Sequence, residues 1–173
     1  MLQEFFNEPF NKDWVVPYTA IAFLLGNVMN SISSWMEDMY FLTWGGKPSS
    51  CLLEGKSIWK VRFYHHTKAH KALLTDSGDP RAKSDKLFSI AMRVANGTKD
   101  TRLEDFNAQY AFSRVLLTTT FFSTIFLLYQ HYDEWRYYAI SIPIVGVLWL
   151  RCKQRGYYYA KEVLEVYLKS KSA

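Results

Sequence analysis

The chain has 173 residues and a formal net charge of +5, from 21 Lys and Arg against 16 Asp and Glu. With 49% hydrophobic and 21% charged residues and no visible internal repeat, the composition excludes a disordered tail, a collagen-like fibre and a solenoid. The two cysteines, Cys51 and Cys152, are too few for a disulfide framework. A basic chain suits nucleic acid or the anionic cytoplasmic face of a membrane.

The first 44 residues divide into an acidic lead and a long apolar run. Residues 1–13 contain three acids against one lysine, which is the wrong sign for the start of a signal peptide. From Trp14 to Trp44 the sequence is first apolar and then amphipathic, and between Leu25 and Met39 apolar side chains recur every three or four residues. Residues 1–44 therefore predict an N-terminal membrane helix, lipid-compatible in its first half and amphipathic in its second.

One side of this helix is polar. We define the polar stripe as Asn27, Asn30, Ser31, Ser34 and Asp38; Glu37 is expected on the same side. Because unpaired polar groups in hydrocarbon are costly, the stripe must face water, protein or headgroups. Two interpretations stay open. The first is an amphipathic helix on a soluble domain or lying in the membrane interface, and the second is a helix lining the water-filled pore of an oligomer.

Residues 45–109 are predicted to form a small basic helical domain, with 12 Lys and Arg against 7 Asp and Glu. The pair Gly45–Gly46, followed by Lys-Pro, is expected to end the first helix. Helical spacing is expected to resume at Cys51 and to continue until the turn DSGDP at residues 76–80. The next helix is expected to be capped by Ser84 and to end at Asn96-Gly97.

The densest polar chemistry of this domain lies between residues 60 and 71. It comprises Lys60, Arg62, His65, His66, Lys68, His70 and Lys71. These side chains would contact RNA, with Phe63 and Tyr64 stacking on bases, or form a basic collar against anionic lipid or another subunit. His66 and His70 are one helical turn apart, but no nearby Cys or carboxylate completes a metal site, so no metal or other cofactor is expected.

Residues 110–151 predict a transmembrane hairpin. Its first arm, Tyr110 to Tyr129, has 20 residues and one charge, Arg114, whereas a helix needs about 20 apolar residues to cross a bilayer. A polar turn follows, and then 14 apolar residues from Tyr137 to Leu150, which is short for a crossing but has aromatic ends typical of membrane interfaces. The alternative is a buried hairpin of a soluble domain. Residues 152–173 predict a basic C-terminal helix.

The fold class is therefore predicted as all-α, with integral membrane helices and a small helical cytosolic domain. The charge distribution favours an orientation, because positive loops stay in the cytoplasm. Residues 151–173 have six Lys and Arg against two Glu, whereas the turn of the hairpin has two acids against Arg136. The middle domain and the C-terminal segment are expected on the cytoplasmic side of a bacterial inner membrane.

The layout resembles small bacterial membrane proteins found beside antiviral systems, and most specifically the small accessory membrane proteins of type VI-B CRISPR loci. The resemblance rests on LLGNVMNSISSWMEDMYFLTWGGKPSSCLL at residues 24–53, on the basic helical middle, and on the hairpin followed by RGYYYAKEVLEVYL at residues 155–168. It implies a homo-oligomeric inner-membrane pore that depolarises the cell and works with an RNA-guided effector.

That family carries a divergent form of the Arg–His motif of HEPN ribonucleases. Here three residues separate Arg62 from His66 and seven separate it from His70, which does not match the usual spacing. No phosphate-binding loop, nucleophile elbow or zinc-protease motif is present either. We therefore expect no enzyme, no catalytic residue and no small-molecule substrate.

Three functions stay open on the sequence. The first is the homo-oligomeric pore, with the bilayer and further copies of the chain as its partners. The second is a membrane-anchored RNA-binding module, which is HEPN-like without catalysis. The third is a structural subunit of a larger membrane complex, docked through a C-terminal helix that presents Tyr157, Tyr158, Tyr159, Val163, Val166 and Tyr167.

Overall fold

The computed structural model describes residues 15–56, 58, 61–98 and 101–172. This part of the chain forms seven α-helices, and the only β pairing within it is an isolated bridge between Ile58 and Val61. The helices are α1 (Val15–Trp35), α2 (Glu37–Trp44), α3 (Pro48–Leu53), α4 (His66–Ser77), α5 (Ser84–Gly97), α6 (Thr101–Gln130) and α7 (Trp135–Ser172). The all-α prediction is confirmed for the described residues.

Helices α1 and α2 are separated only at Met36. The backbone ladder continues through this residue, since its amide donates to Ile32 at 3.0 Å and its carbonyl accepts from Tyr40 at 3.1 Å. Helix α2 ends at Gly45, which has a φ of 83° and donates its amide to Leu42. A left-handed residue of this kind is the usual end of a helix, and glycine adopts it without strain. The predicted break at the glycine pair is confirmed.

The segment between α3 and α4 differs from the predicted helix. Gly55, with a φ of 76°, ends the helical path after Leu53, and residues 61–64 alternate between buried and exposed side chains. None of residues 61–64 is helical, whereas the sequence pattern predicted a helix here. The alternation buries Val61 and Phe63 in the domain core.

Helix α5 begins and ends close to the predicted positions, but its cap differs. Ser84 is the first helical residue, and the capping position belongs to Lys83, which makes no side-chain cap hydrogen bond. The end at Gly97 and the turn at Gly78, with a φ of 65°, agree with the sequence pattern.

Helices α6 and α7 form a long antiparallel hairpin. At 1.5 Å per residue, the 30 residues of α6 and the 38 residues of α7 measure about 45 Å and about 57 Å. The polar segment before the hairpin is continuous with its first arm in α6. The turn at residues 131–134 is stabilised by His131, whose ring stacks on Tyr137 at 4.1 Å between centroids.

The second half of α7 packs together with α3, α4 and α5, and we call this unit the helical domain. It contacts α3 and α5 and buries Tyr157, Val163, Leu164 and Tyr167 in a core shared with Leu52, Leu73 and Leu87. The aromatic residues proposed as a docking face are therefore occupied: Tyr157, Val163, Val166 and Tyr167 are buried inside this chain, and Tyr158 and Tyr159 are partly buried.

Two helices of the described chain, α1 and α6, are long and apolar enough to cross a membrane, with window mean hydropathies of 1.4 and 1.6. In the apolar 18-residue stretch of each helix, none of the residues of α1 and 11% of those of α6 are buried within the chain. The core helix of a soluble protein, by contrast, is mostly buried. The start of α7, the second arm of the predicted hairpin, is not among these candidates. Its apolar stretch has 14 residues and runs directly into Arg151.

Candidate functional site at the junction of α1, α2 and the hairpin

Helices α1 and α2 pack on the hairpin through one narrow face. Met29, Ser33 and Tyr40 lie within about 40° of one another at 100° per residue, and all three are partly or fully buried. Ser33 is fully buried and donates its hydroxyl to the carbonyl of Asn30 at 2.8 Å. The small Ser33 side chain therefore allows close packing without leaving an unsatisfied hydroxyl.

The polar stripe lies on the opposite side of α1 and α2. All five of its residues are exposed, and its known hydrogen bonds are local: Asn27 donates to Phe23 at 3.0 Å, and Ser31 donates to Asn27 at 3.2 Å. Asn27, Ser31, Ser34 and Asp38 are 120–180° from the packed face on a helical wheel at about 100° per residue, and Asn30 lies between the two faces. Four of the five stripe residues therefore share one side of these helices, with Asn30 at its edge; the role of the stripe as a pore lining stays a prediction.

The remaining side of these helices is apolar and exposed. Val28, Trp35 and Leu42 are 55%, 81% and 82% exposed, respectively. The helices thus have three sides: one packed on the hairpin, one polar and one apolar. Within the described residues, the apolar side has no partner, and the hydrogen bonds of the polar side stay within its own helix. Ser34 and Asp38 of the polar side also line the cleft described below.

Glu37 points to the hairpin rather than into the polar stripe. Its carboxylate accepts a hydrogen bond from the hydroxyl of Tyr110 at 2.7 Å and forms a charge-assisted contact with the guanidinium of Arg114. Arg114 also lies over the ring of Tyr110, 5.6 Å from its centroid. The expectation that Glu37 belongs to the polar side is wrong, because the one charged residue of the apolar stretch in α6 needs a partner where it is largely buried.

We call this arrangement the junction cluster: Glu37, Tyr110 and Arg114. Arg114 is 13% exposed and Glu37 is 24% exposed, so the pair is largely withdrawn from water. The sequence signal for it was the isolated charge of Arg114 within an apolar run, but nothing in the sequence specified which acid would meet it.

Further polar contacts join α2 to the hairpin on both sides of the junction cluster. The hydroxyls of Tyr40 and Thr118 are 2.7 Å apart, and Trp149 donates its indole N–H to the hydroxyl of Thr43 at 2.9 Å. Lys153 donates to the carbonyl of Trp44 at 3.3 Å. These bonds fix the position of α2, and hence the direction in which α1 leaves the hairpin.

Gly156 allows the closest approach at the junction. A Cβ atom at this position would lie 3.1 Å from the ring of Tyr110 and 3.3 Å from the ring of Trp44. One turn away, burial raises the pKa of the Cys152 thiol to about 12, so this thiol is protonated and unreactive at neutral pH.

A cleft of about 450 Å³ opens between α2, α5 and the second half of α7. Asp38 and Asp85 line it together with Lys47, which pairs with Asp85 at 3.1 Å. Within the residues that the structure describes, no group of three or more His, Cys, Asp or Glu side chains is arranged to hold a metal ion.

The basic residues predicted between positions 60 and 71 divide into two groups. Arg62, His65, Lys68 and Lys71 are exposed, whereas His66 and His70 are partly buried. His66 packs on Gly55, where an added Cβ would lie 2.9 Å from its Nε2 atom, and so has a structural contact. Phe63, predicted to stack on bases, is buried in the core, whereas Tyr64 is exposed. Lys60 lies outside the described residues.

The comparisons with known proteins add no family: no protein-family model, no curated protein and no solved structure matches the chain. The relation to the accessory membrane proteins of type VI-B CRISPR loci therefore stays a prediction from resemblance.

Proposed function

We propose that this chain forms a homo-oligomeric membrane channel whose water-filled path is lined by the polar stripe of α1 and α2. The observation that carries the proposal is the three-sided character of these helices, which have one side packed on the hairpin, one apolar side and one polar side. Among the described residues, the side chains of the stripe form hydrogen bonds only within α1.

The distribution of exposed apolar side chains supports membrane insertion. Large exposed apolar residues are concentrated in residues 15–42 and 112–150, and they are almost absent from the helical domain. Exposed apolar area of this extent is unfavourable in water and favourable in lipid. The basic character of the helical domain supports placing this domain and the end of α7 on the cytoplasmic side.

Oligomerisation follows from the number of helices. One copy offers one polar stripe, which cannot enclose a path for water or ions. Several copies related by a closed rotation would turn the stripes toward a common axis and the apolar sides toward lipid or neighbouring copies. Asn and Ser side chains hold water without a strong charge preference, so weak ion selectivity is expected.

The biological setting of the channel is proposed from the resemblance stated above. Depolarisation of a bacterial inner membrane in support of an RNA-guided antiviral effector fits a channel with weak selectivity. Co-expression of the chain with such an effector, and measurement of membrane potential during phage challenge, tests this part separately from channel formation.

The channel is tested by conductance in planar bilayers. We expect Asn30→Leu combined with Ser34→Leu to lower the conductance by about tenfold or more, because apolar side chains at a constriction exclude water. The matched control is Val28→Leu combined with Met39→Leu, since both residues are exposed on the apolar side of the same helices. The control variant is expected to conduct as the unmodified chain does.

Two outcomes would contradict the proposal. One is an unchanged conductance in the variant without polar side chains at positions 30 and 34. The other is a monomer in detergent together with bilayers that stay silent, which would favour α1 as an amphipathic helix lying in the membrane interface.

A further inference from the structure

The helical domain carries one exposed cationic surface with an aromatic residue at its edge. It begins in the segment before α4, where Val61 and Phe63 are buried and Arg62 and Tyr64 are exposed. Arg62 and Tyr64 are therefore both solvent-facing members of this segment. This segment leads through His65 directly into α4.

The surface continues along the solvent side of α4. Ala69 and Leu73 face the core, and Lys68 and Lys71 are exposed one turn apart on the other side of the helix. The ion pairs described in this domain involve other cations, among them Lys47, Lys86 and Lys171. In the part of the chain that the structure describes, Lys68 and Lys71 have no carboxylate within ion-pair distance, so their charge is available to a ligand.

Tyr64 is the unusual member of the surface. It is 75% exposed, and it is the one large apolar residue so exposed among the described residues between positions 43 and 111. Among the described residues, every other large exposed apolar side chain belongs to residues 15–42 or 112–150. An exposed aromatic ring beside several cations is the arrangement that stacks on bases while the cations contact phosphates.

The position of α4 argues against a lipid ligand. Asp76, near the end of α4, accepts hydrogen bonds from Tyr167 and Lys171, both at 2.8 Å. Tyr167 lies 18 residues beyond Trp149 on the same helix, or about 27 Å along its axis. Lys71 lies five residues before Asp76, or about 8 Å along α4, which places it about 19 Å beyond Trp149 along this direction.

This distance exceeds the range of membrane electrostatics. With Trp149 at the membrane surface, the attraction between Lys71 and anionic headgroups is screened, because the Debye length is about 8 Å at physiological salt. Lys71 therefore lies beyond the electrostatic reach of the headgroups, and by the same count Lys68 lies about 15 Å beyond Trp149. A soluble polyanion is the ligand that fits these two lysines.

We propose that Arg62, Tyr64, Lys68 and Lys71 form a binding surface for single-stranded nucleic acid on the cytoplasmic side. The cations contact phosphates, and the ring of Tyr64 stacks on a base. The inference rests on insertion of the hairpin into the membrane but not on conduction by α1.

The test uses the full chain in nanodiscs of neutral phosphatidylcholine. Fluorescence anisotropy is measured with a labelled U-rich single-stranded RNA, with DNA of the same sequence and with a duplex RNA. We expect the single strands to bind and the duplex to bind more weakly. The RNA and DNA arms show whether the 2′-hydroxyl contributes.

Substitutions separate stacking from charge. Tyr64→Ala is expected to weaken binding about 5- to 150-fold, and Tyr64→Phe is expected to preserve it, because stacking needs only the ring. Lys68→Gln combined with Lys71→Gln is expected to reduce the salt slope of log K by about 1.4. The matched controls are Tyr132→Ala, which removes a ring of similar exposure, and Arg93→Gln with Lys169→Gln, which removes the same charge elsewhere.

Three results would overturn the proposal. The first is no binding of either single strand at low salt. The second is binding that Tyr64→Ala leaves unchanged. The third is a chain that does not bind the single strands but binds vesicles of 30% phosphatidylserine through Lys68 and Lys71, which would assign the surface to lipid.

If planar bilayers show no conductance while the single strands still bind, only the channel proposal is contradicted.

Discussion

The two halves of α7 place similar residues in opposite surroundings. In the first half, Val147 and Leu150 are 65% and 58% exposed; in the second half, Val163 and Leu164 are fully buried in the helical domain. The apolar content of a helix therefore does not say where its surface is removed from water. We propose that lipid covers the apolar surface of the first half. The chain itself covers that of the second half, through α3, α4 and α5.

The largest expected effect compares two leucines of this one helix. Leu164→Ala is expected to lower the free energy of unfolding by about 2–5 kcal/mol, because it removes buried methyl groups and leaves a cavity. Leu150→Ala, in the exposed half, is expected to change it by less than about 0.5 kcal/mol. Urea denaturation in detergent, followed by circular dichroism, measures both. Equal losses would mean that the two halves are buried alike.

The junction cluster gives the next largest effect, since it joins the two regions. Arg114→Met leaves the Glu37 carboxylate without its cation in a largely buried site, and it is expected to destabilise the chain by about 1–3 kcal/mol, below the value for fully buried pairs. Adding Glu37→Gln is expected to restore part of the loss. A double-mutant cycle measures this coupling. Strictly additive losses would show that the two side chains act independently.

Gly156 tests the close packing at the same junction. Gly156→Ala places a Cβ atom 3.1 Å from the ring of Tyr110, so the rings must move, and we expect a destabilisation of about 1 kcal/mol. Gly146→Ala is the matched control, because this glycine lies in the exposed half of α7 and an added Cβ has no neighbour within 4 Å. The melting temperature is expected to fall in Gly156→Ala and to rise in Gly146→Ala, since alanine favours the helix over glycine.

The smallest effect concerns acid stability of the helical domain. The hydrogen bond from Lys171, and then that from Tyr167, lower the pKa of Asp76 below its ordinary value of 3.8. Because the folded pKa is depressed, this contribution is present above about pH 4 and is lost as the pH falls through the folded pKa. Asp76→Asn is therefore expected to flatten the decrease in melting temperature between pH 5 and pH 3. An identical decrease in both proteins would assign the acid sensitivity to other carboxylates.

Sequence patterns located the elements whose signals are local. The glycine pair at positions 45–46, the turn at DSGDP and the passage of α6 from polar to apolar sequence depend on backbone preferences and hydropathy over a few residues. The same local reasoning was wrong at Ser84, which does not cap α5. It was also wrong at residues 61–64, which are not helical, because a short apolar run fits both a helix and other backbone conformations.

The candidate site depended on pairs that are distant in sequence. Glu37 and Arg114 are 77 positions apart. The sequence assigned base stacking to both Phe63 and Tyr64, and only the structure shows that Phe63 is buried in the core whereas Tyr64 is exposed. Tyr157 and its neighbours were expected on a docking surface, but they form the interior of the helical domain.

The amino-acid sequence by itself determined that this chain is helical, that its apolar residues are segregated, and that a polar stripe follows one side of its first helices. These properties depend on period, composition and local turns. Only the tertiary structure decided which acid neutralises Arg114, which half of α7 is covered by protein, and which basic residues face the solvent. Such choices depend on contacts between remote segments, and their energies come from burial and charge pairing that a linear pattern does not contain.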